Sequence, residues 1–352
     1  MGKVLYALEK AAGHYYRDHP ECPERVAVIG QYLNAQLQLD TCPAVSEPTA
    51  LRDPDDPDGC TFVTPSTWQD AFKAASLAVA LVDAILDTSS EQPSKAAPVG
   101  ESIYNLRSSS SHSCRGEGCC GFSICRPPGH HATPSEALGF CFLNNAALAA
   151  RHAQRAHGLQ RVMIVDWDVH HGNGTQDIFY EDPSVLFVDI HQANVWPESG
   201  SLEEAGAGAG QGATINVPLP WYSGHSTALR VFDQVVAPAA RRFQPQLIIV
   251  SAGYDAHWRD PLEKLAFQSA TYHWLAAGVV DLARELCSGR CLLLLEGGYD
   301  KDALAESVGE TMRALLGQPP SHEVCAELPG CQPEPLEAVE AVIQQVRDLH
   351  GL

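Results

Sequence analysis

Short apolar runs and amphipathic stretches alternate through the second half of the chain. Arg161–Asp166, Val185–Ile190, Gln246–Ser251 and Cys291–Leu295 are β-branched or leucine-rich runs with little internal polarity. Around them, His225–Phe243, Ala270–Leu286 and Lys301–Leu316 read as helices, and a polar–apolar stretch covers Gly174–Tyr180. Strands covered on both faces lose their polar alternation, and the helices between them supply the cover. The pattern therefore predicts an α/β fold on a parallel sheet.

The first half is less regular. Glu24–Leu37 and Ser66–Leu86 read as amphipathic helices, as does Phe142–His157, which Gly158 closes. Between them, Thr88–Cys120 is rich in Ser, Gly and Cys with no apolar period, and reads as a long loop insertion at about 88–120. Residues 317–335 are Pro-rich and extended, and Leu336–Leu349 reads as a terminal helix. With no internal repeat, the expected organisation is one domain over 1–316 followed by a tail and helix over 317–352.

Composition narrows the partners. The 352 residues are 45% apolar, ample for a large core, yet no stretch approaches the roughly 20 unbroken apolar residues of a membrane span. Met1–Lys10 holds one short apolar patch, too short for a secretory signal. The net charge of −20 repels a nucleic-acid backbone and accommodates a cationic substrate. Twelve cysteines in so large a chain, several in apolar segments, point to thiols in a reducing compartment. The cytoplasm is the expected setting, with the nucleus or an organelle after transit-peptide removal left open.

Chemistry concentrates where the apolar runs end. Asp166-Trp167-Asp168-Val169-His170-His171-Gly172-Asn173-Gly174 follows the first run. Side-chain alternation would turn Asp166, Asp168 and His170 to one side, at the edge where open α/β sheets place their sites. Two carboxylates there are costly to bury unless a cation joins them. Ser251-Ala252-Gly253-Tyr254-Asp255 follows the third run in the same way. Asp168, His170 and Asp255 give a three-ligand set with an open position, as a catalytic metal requires; zinc fits, and Fe²⁺, Co²⁺ or Mn²⁺ accept the same donors.

Arg126-Pro127-Pro128-Gly129-His130-His131 offers two histidines after a rigid turn, suited to proton transfer near neutral pH, with Asp166 and Asn173 as partners for the rings. Glu296-Gly297-Gly298-Tyr299 lets backbone approach a ligand and adds a phenolic donor, and Gly139-Phe140 could wall a narrow apolar slot. Alone, each of these also fits an ordinary turn or buried packing. His112, Cys114, Cys119 and Cys120 are metal-binding types whose spacing fits no zinc motif well.

Together and in this order, the motifs resemble the histone deacetylase and acetylpolyamine amidohydrolase superfamily, from His19-Pro20-Glu21-Cys22-Pro23-Glu24-Arg25 to about Leu316, with the class II flavour given by Asn173. The resemblance implies a parallel eight-stranded sheet sandwiched by helices, one catalytic Zn²⁺ on Asp168, His170 and Asp255, and removal of acyl groups from lysine. It implies His131 as general base and then acid, supported by Asn173; His130 as electrostatic partner, supported by Asp166; and Tyr299 as donor to the substrate carbonyl. Gly139, Phe140 and Trp196 would line the acyl channel. Leu262 stands where polyamine-preferring relatives carry an acid. A structural K⁺ is implied at Asp166, Asp168, His170, Asp189 and Ile190. Glu198, after Trp196, departs from the family pattern and puts an acid near the channel mouth. The competing readings are an amidohydrolase of acetylated polyamines or other small acetylamines, a silent acyl-lysine reader, and an arginase-like hydrolase, which would need a two-metal cluster.

Overall fold

A computed structural model describes residues 3–12, 14, 19–37, 61–86, 103–106 and 119–352. The strands are β1 (Lys3–Glu9), β2 (Ile103–Leu106), β3 (Cys119–Cys125), β4 (Val162–Asp166), β5 (Val185–Gln192), β6 (Thr214–Leu219), β7 (Leu247–Ala252) and β8 (Cys291–Leu295). They form one sheet in the order β2-β1-β3-β8-β7-β4-β5-β6. The expected eight strands are present, but β2 pairs antiparallel with β1, so seven strands run parallel and one edge does not. Most of the expected 88–120 loop, with His112 and Cys114, lies outside the described residues; 103–106 and Cys119–Cys120 are strand rather than loop.

Helices cover both faces. On one side lie α1 (Glu24–Leu37), α5 (His225–Val231), α6 (Ala237–Phe243), α7 (Ser269–Leu286), α8 (Lys301–Leu315) and α9 (Leu336–His350). On the other lie α2 (Thr67–Leu86), α3 (Asn145–His157) and α4 (Asn173–Phe179). The continuous apolar runs follow directly from this sandwich. In β4, Met163 and Val165 face the first layer while Val162 and Ile164 face the second. The helix expected over His225–Phe243 is divided by a π-helical segment at Phe232–Val236. The last helix packs Val339, Ile343 and Val346 into the first layer, and Glu334 before it accepts the Gly224, Ser226 and Thr227 amides at the start of α5.

The topology places the site. The chain leaves β3, crosses to β4, builds β5 and β6 outward, then returns to insert β7 and β8 between β4 and β3. Five neighbouring parallel strands (β3, β8, β7, β4 and β5) thus release their C-terminal loops at one edge, around the point where strand order reverses.

Candidate active site

Strand β4 ends at Asp166, so Asp168 and His170 lie in the bend after it and not on the alternating strand expected from sequence. Backbone donors hold the bend instead. Asp166 Oδ1 accepts the Asp168 amide at 3.0 Å, and Asp168 Oδ1 accepts the His170 amide at 2.9 Å. Across the sheet, Asp255 Oδ1 accepts the Val169 amide at 2.9 Å, and Asp168 Oδ2 accepts the Gly297 amide at 2.8 Å. Loops after β4, β7 and β8 are thereby stitched together by the carboxylates themselves.

This stitching brings Asp168, His170 and Asp255 together, with one donor atom of each within 4.8 Å of the others. His170 Nδ1 sits 3.1 Å from Asp168 Oδ1 and 3.4 Å from Asp255 Oδ2. Asp255 Oδ2 is buried without a hydrogen-bond partner, a costly arrangement for a carboxylate oxygen. A Cβ on Gly297 would come within 1.9 Å of that oxygen and 2.7 Å of Asp168 Oδ2, so the absence of a side chain there keeps the cluster open. Burial disfavours charge on His170, yet its hydrogen bond to Asp168 and the nearby Asp255 carboxylate raise its pKa to about 10: positive charge is strongly favoured at this point. The donor set, the orphaned oxygen and the cradle all fit a divalent cation.

The histidine pair lies alongside, with ring centroids 3.9 Å apart. His130 Nδ1 is 3.0 Å from Asp166 Oδ2, and His131 Nδ1 is 2.8 Å from Asn173 Oδ1, the two ring partners expected from sequence. Their protonation is split. Burial works against charge on His130, but Asp166 and Asp168 outweigh it and hold its pKa well above the ordinary range. Burial, then His130 and His170, push His131 well below it. One ring is cationic and the other neutral at the same pH, the separation that acid–base work at a shared site needs. With an amide oxygen facing Nδ1, His131 carries its proton there and leaves Nε2 as acceptor.

Tyr299 follows β8 and lies directly before α8, whose N-cap is Asp300. Asp260 accepts the Tyr299 amide at 2.7 Å and the Asp300 amide at 3.2 Å. Burial raises the phenol well above its ordinary value, with Arg25 opposing, so it stays a donor. The guanidinium of Arg25 lies 4.8 Å from the Tyr299 ring centroid and donates Nε–H to the Gly298 carbonyl at 2.6 Å. Arg25 and Arg126 share Glu21, and all three are fully buried. Glu296 accepts the Gly129 and His130 amides at 2.7 and 3.2 Å, tying the histidine loop to β8.

A pocket lined by Gly139, Phe140, Trp196, Leu262 and Pro128 leads to His130, His131, His170, Gly297 and Tyr299. Gly139 and Phe140 are the central residues of a tight turn closed by Leu138 and Cys141, with φ of 54° and 66°. Both positive values suit a type I′ turn, which is costly for Phe. A Cβ on Gly139 would lie 2.4 Å from the His131 ring and 2.6 Å from Trp196, so glycine is required by space as well as φ. Trp196 and Leu262 are about one-third exposed and form the mouth.

Glu198 is exposed and absent from the pocket lining. Glu263, also outside the lining, has Oε1 3.8 Å from His170 Nε2. Asp189 pairs in register with Asp166, and Ile190 is buried beside it in β5. Sequence reasoning gave no role to Glu21, Arg25, Arg126, Asp260, Glu263 or Glu296. Glu21 and Arg25 carried a local signal, opposite charges four residues apart, and Arg126 and Glu296 opened motifs singled out for their histidines, glycines and tyrosine; Asp260 and Glu263 act across chain distances that no short-range pattern encodes.

Comparison with known proteins agrees with this geometry. The histone deacetylase domain family matches residues 29–315. "Histone deacetylase 14, chloroplastic" of Arabidopsis thaliana is 37% identical, with 99% of this chain and 85% of that protein aligned. "Histone deacetylase-like amidohydrolase" of Pseudomonas aeruginosa is 35% identical over 83% of this chain and 74% of its own length. The crystal structure of the HDA15 HD domain superposes with a TM-score of 0.73 at 28% identity, covering 99% of this chain and 95% of that one.

Proposed function

The chain belongs to the histone deacetylase family and is a deacetylase hydrolase; on that premise we propose that it removes acyl groups from lysine side chains of proteins. The observation that carries this reading is the narrow pocket between Phe140, Trp196 and Leu262, which ends on Tyr299, the histidine pair and the Asp168–His170–Asp255 cluster. An extended alkyl side chain with a terminal amide fits that shape. Leu262 adds apolar wall where a cation-reading site would want an acid.

Asp168, His170 Nδ1 and Asp255 Oδ2 would hold the divalent ion, zinc by family habit. When bound, the ion polarises the amide carbonyl and lowers the pKa of water beside it. The protein's own groups do the rest. Neutral His131 takes the proton from the attacking water through Nε2 and passes it to the departing amine, so amide and water give carboxylate and amine. Tyr299 donates its hydroxyl proton in a hydrogen bond to the oxyanion as the carbonyl becomes tetrahedral. His130, held cationic by Asp166, adds positive charge beside it, and the apolar walls keep bulk water out. A K⁺ near Asp166, Asp168, His170, Asp189 and Ile190 belongs to this proposal; the side-by-side carboxylates of Asp166 and Asp189 support it.

A second reading, hydrolysis of an acetylated polyamine or other small acetylamine, is favoured by Glu263 beside His170 and by the net charge of −20. Acetate release from an acetyl-lysine peptide and from an acetylated polyamine, with and without chelator, separates the two. Chelator-sensitive turnover of the peptide, restored by Zn²⁺, is expected; turnover of the polyamine alone would move the assignment to the small-molecule reading. The relatives named chloroplastic support an organellar setting over the cytoplasmic one expected from composition. No helix among the described residues is long and apolar enough to cross a membrane.

A further inference from the structure

We propose that Asp83, His152 and His157 form a second binding site for a divalent transition-metal ion, on the outer surface where α2 meets α3. His152 Nε2 lies 2.6 Å and His157 Nε2 2.7 Å from the same oxygen, Asp83 Oδ1. The three donor atoms fall within 4.8 Å of one another. Asp83 stands in the last turn of α2, and the two histidines lie in the last two turns of α3.

The scaffold holds these donors in place without help from the cluster. Leu81, Val82 and Ile85 of α2 and Ala146, Ala149, Ala150 and Ala153 of α3 are buried in one apolar layer, which fixes how the two helices sit. Donors carried on rigid helices are better aligned than donors on loops. Their side chains are 44%, 28% and 18% exposed for Asp83, His152 and His157, open enough for an ion and its waters to reach them. An isolated surface ion pair explains one histidine on Asp83. It does not require a second ring, five residues further along the helix, to present the same nitrogen to the same oxygen.

Two imidazole nitrogens and one carboxylate oxygen form a three-ligand set for Zn²⁺, Co²⁺ or Ni²⁺, with room for water. No thiol takes part, so a soft ion such as Cu(I) is not the favoured guest. An ion about 2.0–2.2 Å from each donor needs only a small withdrawal of the exposed carboxylate. The ion would take the place between rings and carboxylate that ring protons otherwise occupy.

This site is separate from the pocket. Asn144 and Asn145, at the start of α3, reach the carbonyls of Ala132 and Pro127 in the histidine loop. His157 ends the same helix, roughly 18 Å further along its axis. An ion there would clip α2 to α3 at the end remote from the chemistry.

The test is equilibrium dialysis of the full chain against Co²⁺, with the metal bound per chain as readout. Wild type is expected to bind two equivalents, and His157→Ala and Asp83→Asn one each, with deacetylase turnover of the zinc-loaded variants unchanged. Asp255→Ala, which damages the pocket cluster, should keep one equivalent and lose it when His157→Ala is added. Should His157→Ala fail to fold, the near-isosteric Asp83→Asn carries the comparison. Equal stoichiometry in wild type and in the folded Asp83 or His157 variant would overturn the proposal, as would an Asp255→Ala protein that binds no metal.

Discussion

Tyr299 and His131 illustrate how a residue's role depends on what surrounds it. Both were visible in the sequence as chemistry-bearing types, Tyr299 after a short apolar run and His131 after a rigid Pro-Pro-Gly turn, yet a free tyrosine or histidine would do little. Burial keeps the Tyr299 phenol protonated, and burial together with two neighbouring rings keeps His131 neutral beside a cationic His130. Tyr299→Phe removes only the donor hydroxyl. We expect that variant to fold and keep its metal while kcat falls roughly 10²–10³-fold, the usual cost of one oxyanion donor. Steady-state kinetics with metal analysis on the same sample checks this, and wild-type turnover would remove Tyr299 from the proposed mechanism.

At the scale of elements, the long helices and strands β4, β5, β7 and β8 were legible and the other strands were not. Expected and observed bounds coincide for Glu24–Leu37 and differ by about a residue for α7 and α8. Strands β4, β5, β7 and β8 stood out because both their faces are buried. Strand β3, Cys119–Cys125, carries two adjacent cysteines and a glycine and lacks β-branched patterning beyond Ile124. Edge strand β6 holds Pro218, tolerated where one side needs no ladder partner. The β1 strand reads in sequence only as a short apolar patch.

What joins these elements near the site is the buried Glu21–Arg25–Arg126 group, which links the start of α1, the end of β3 and the Gly298 carbonyl. Burial alone would raise the Glu21 carboxyl, but Arg126 and Arg25 outweigh it and hold its pKa at about 2, below its unperturbed 4.5. A depressed folded pKa stabilises the native state above pH 4.5, and that contribution is lost as pH falls toward about 2. Glu21→Gln leaves two buried guanidiniums without their counter-charge. It should cost about 3–5 kcal/mol at pH 7 and flatten the acid limb of stability. Urea midpoints at pH 7 and pH 3 measure both effects; a variant whose midpoints track wild type at each pH would show that the group does not brace the fold.

For the whole molecule, net charge and metal pull in opposite directions. Three buried acids, Asp166, Asp168 and Asp255, crowd one edge of a sheet in a chain already at −20. A cation that binds only the folded state relieves this repulsion, and at about 100 times its Kd contributes about 2.7 kcal/mol. Chelator is therefore expected to lower the melting midpoint by several degrees, with Zn²⁺ restoring it. A His157→Ala background isolates the pocket's share of the effect, and adding Asp255→Ala should abolish the response. A midpoint indifferent to chelator in the His157→Ala protein would count against metal occupancy of the pocket cluster.

The sequence by itself determined the α/β class, the positions of the buried strands and long helices, and the chemical types at the strand ends. These are local properties: burial on two faces sets a continuous apolar run, and glycine, proline and the ionisable side chains mark the loops that follow. Tertiary structure decided which loops meet. Only the insertion of β7 and β8 between β3 and β4 puts Asp255, Gly297 and the histidine pair around Asp168. It also set Glu263 beside His170 and decided which histidine carries charge. Strand order and electrostatic environment are sums over residues distant in the chain, and no pattern of neighbouring positions contains them.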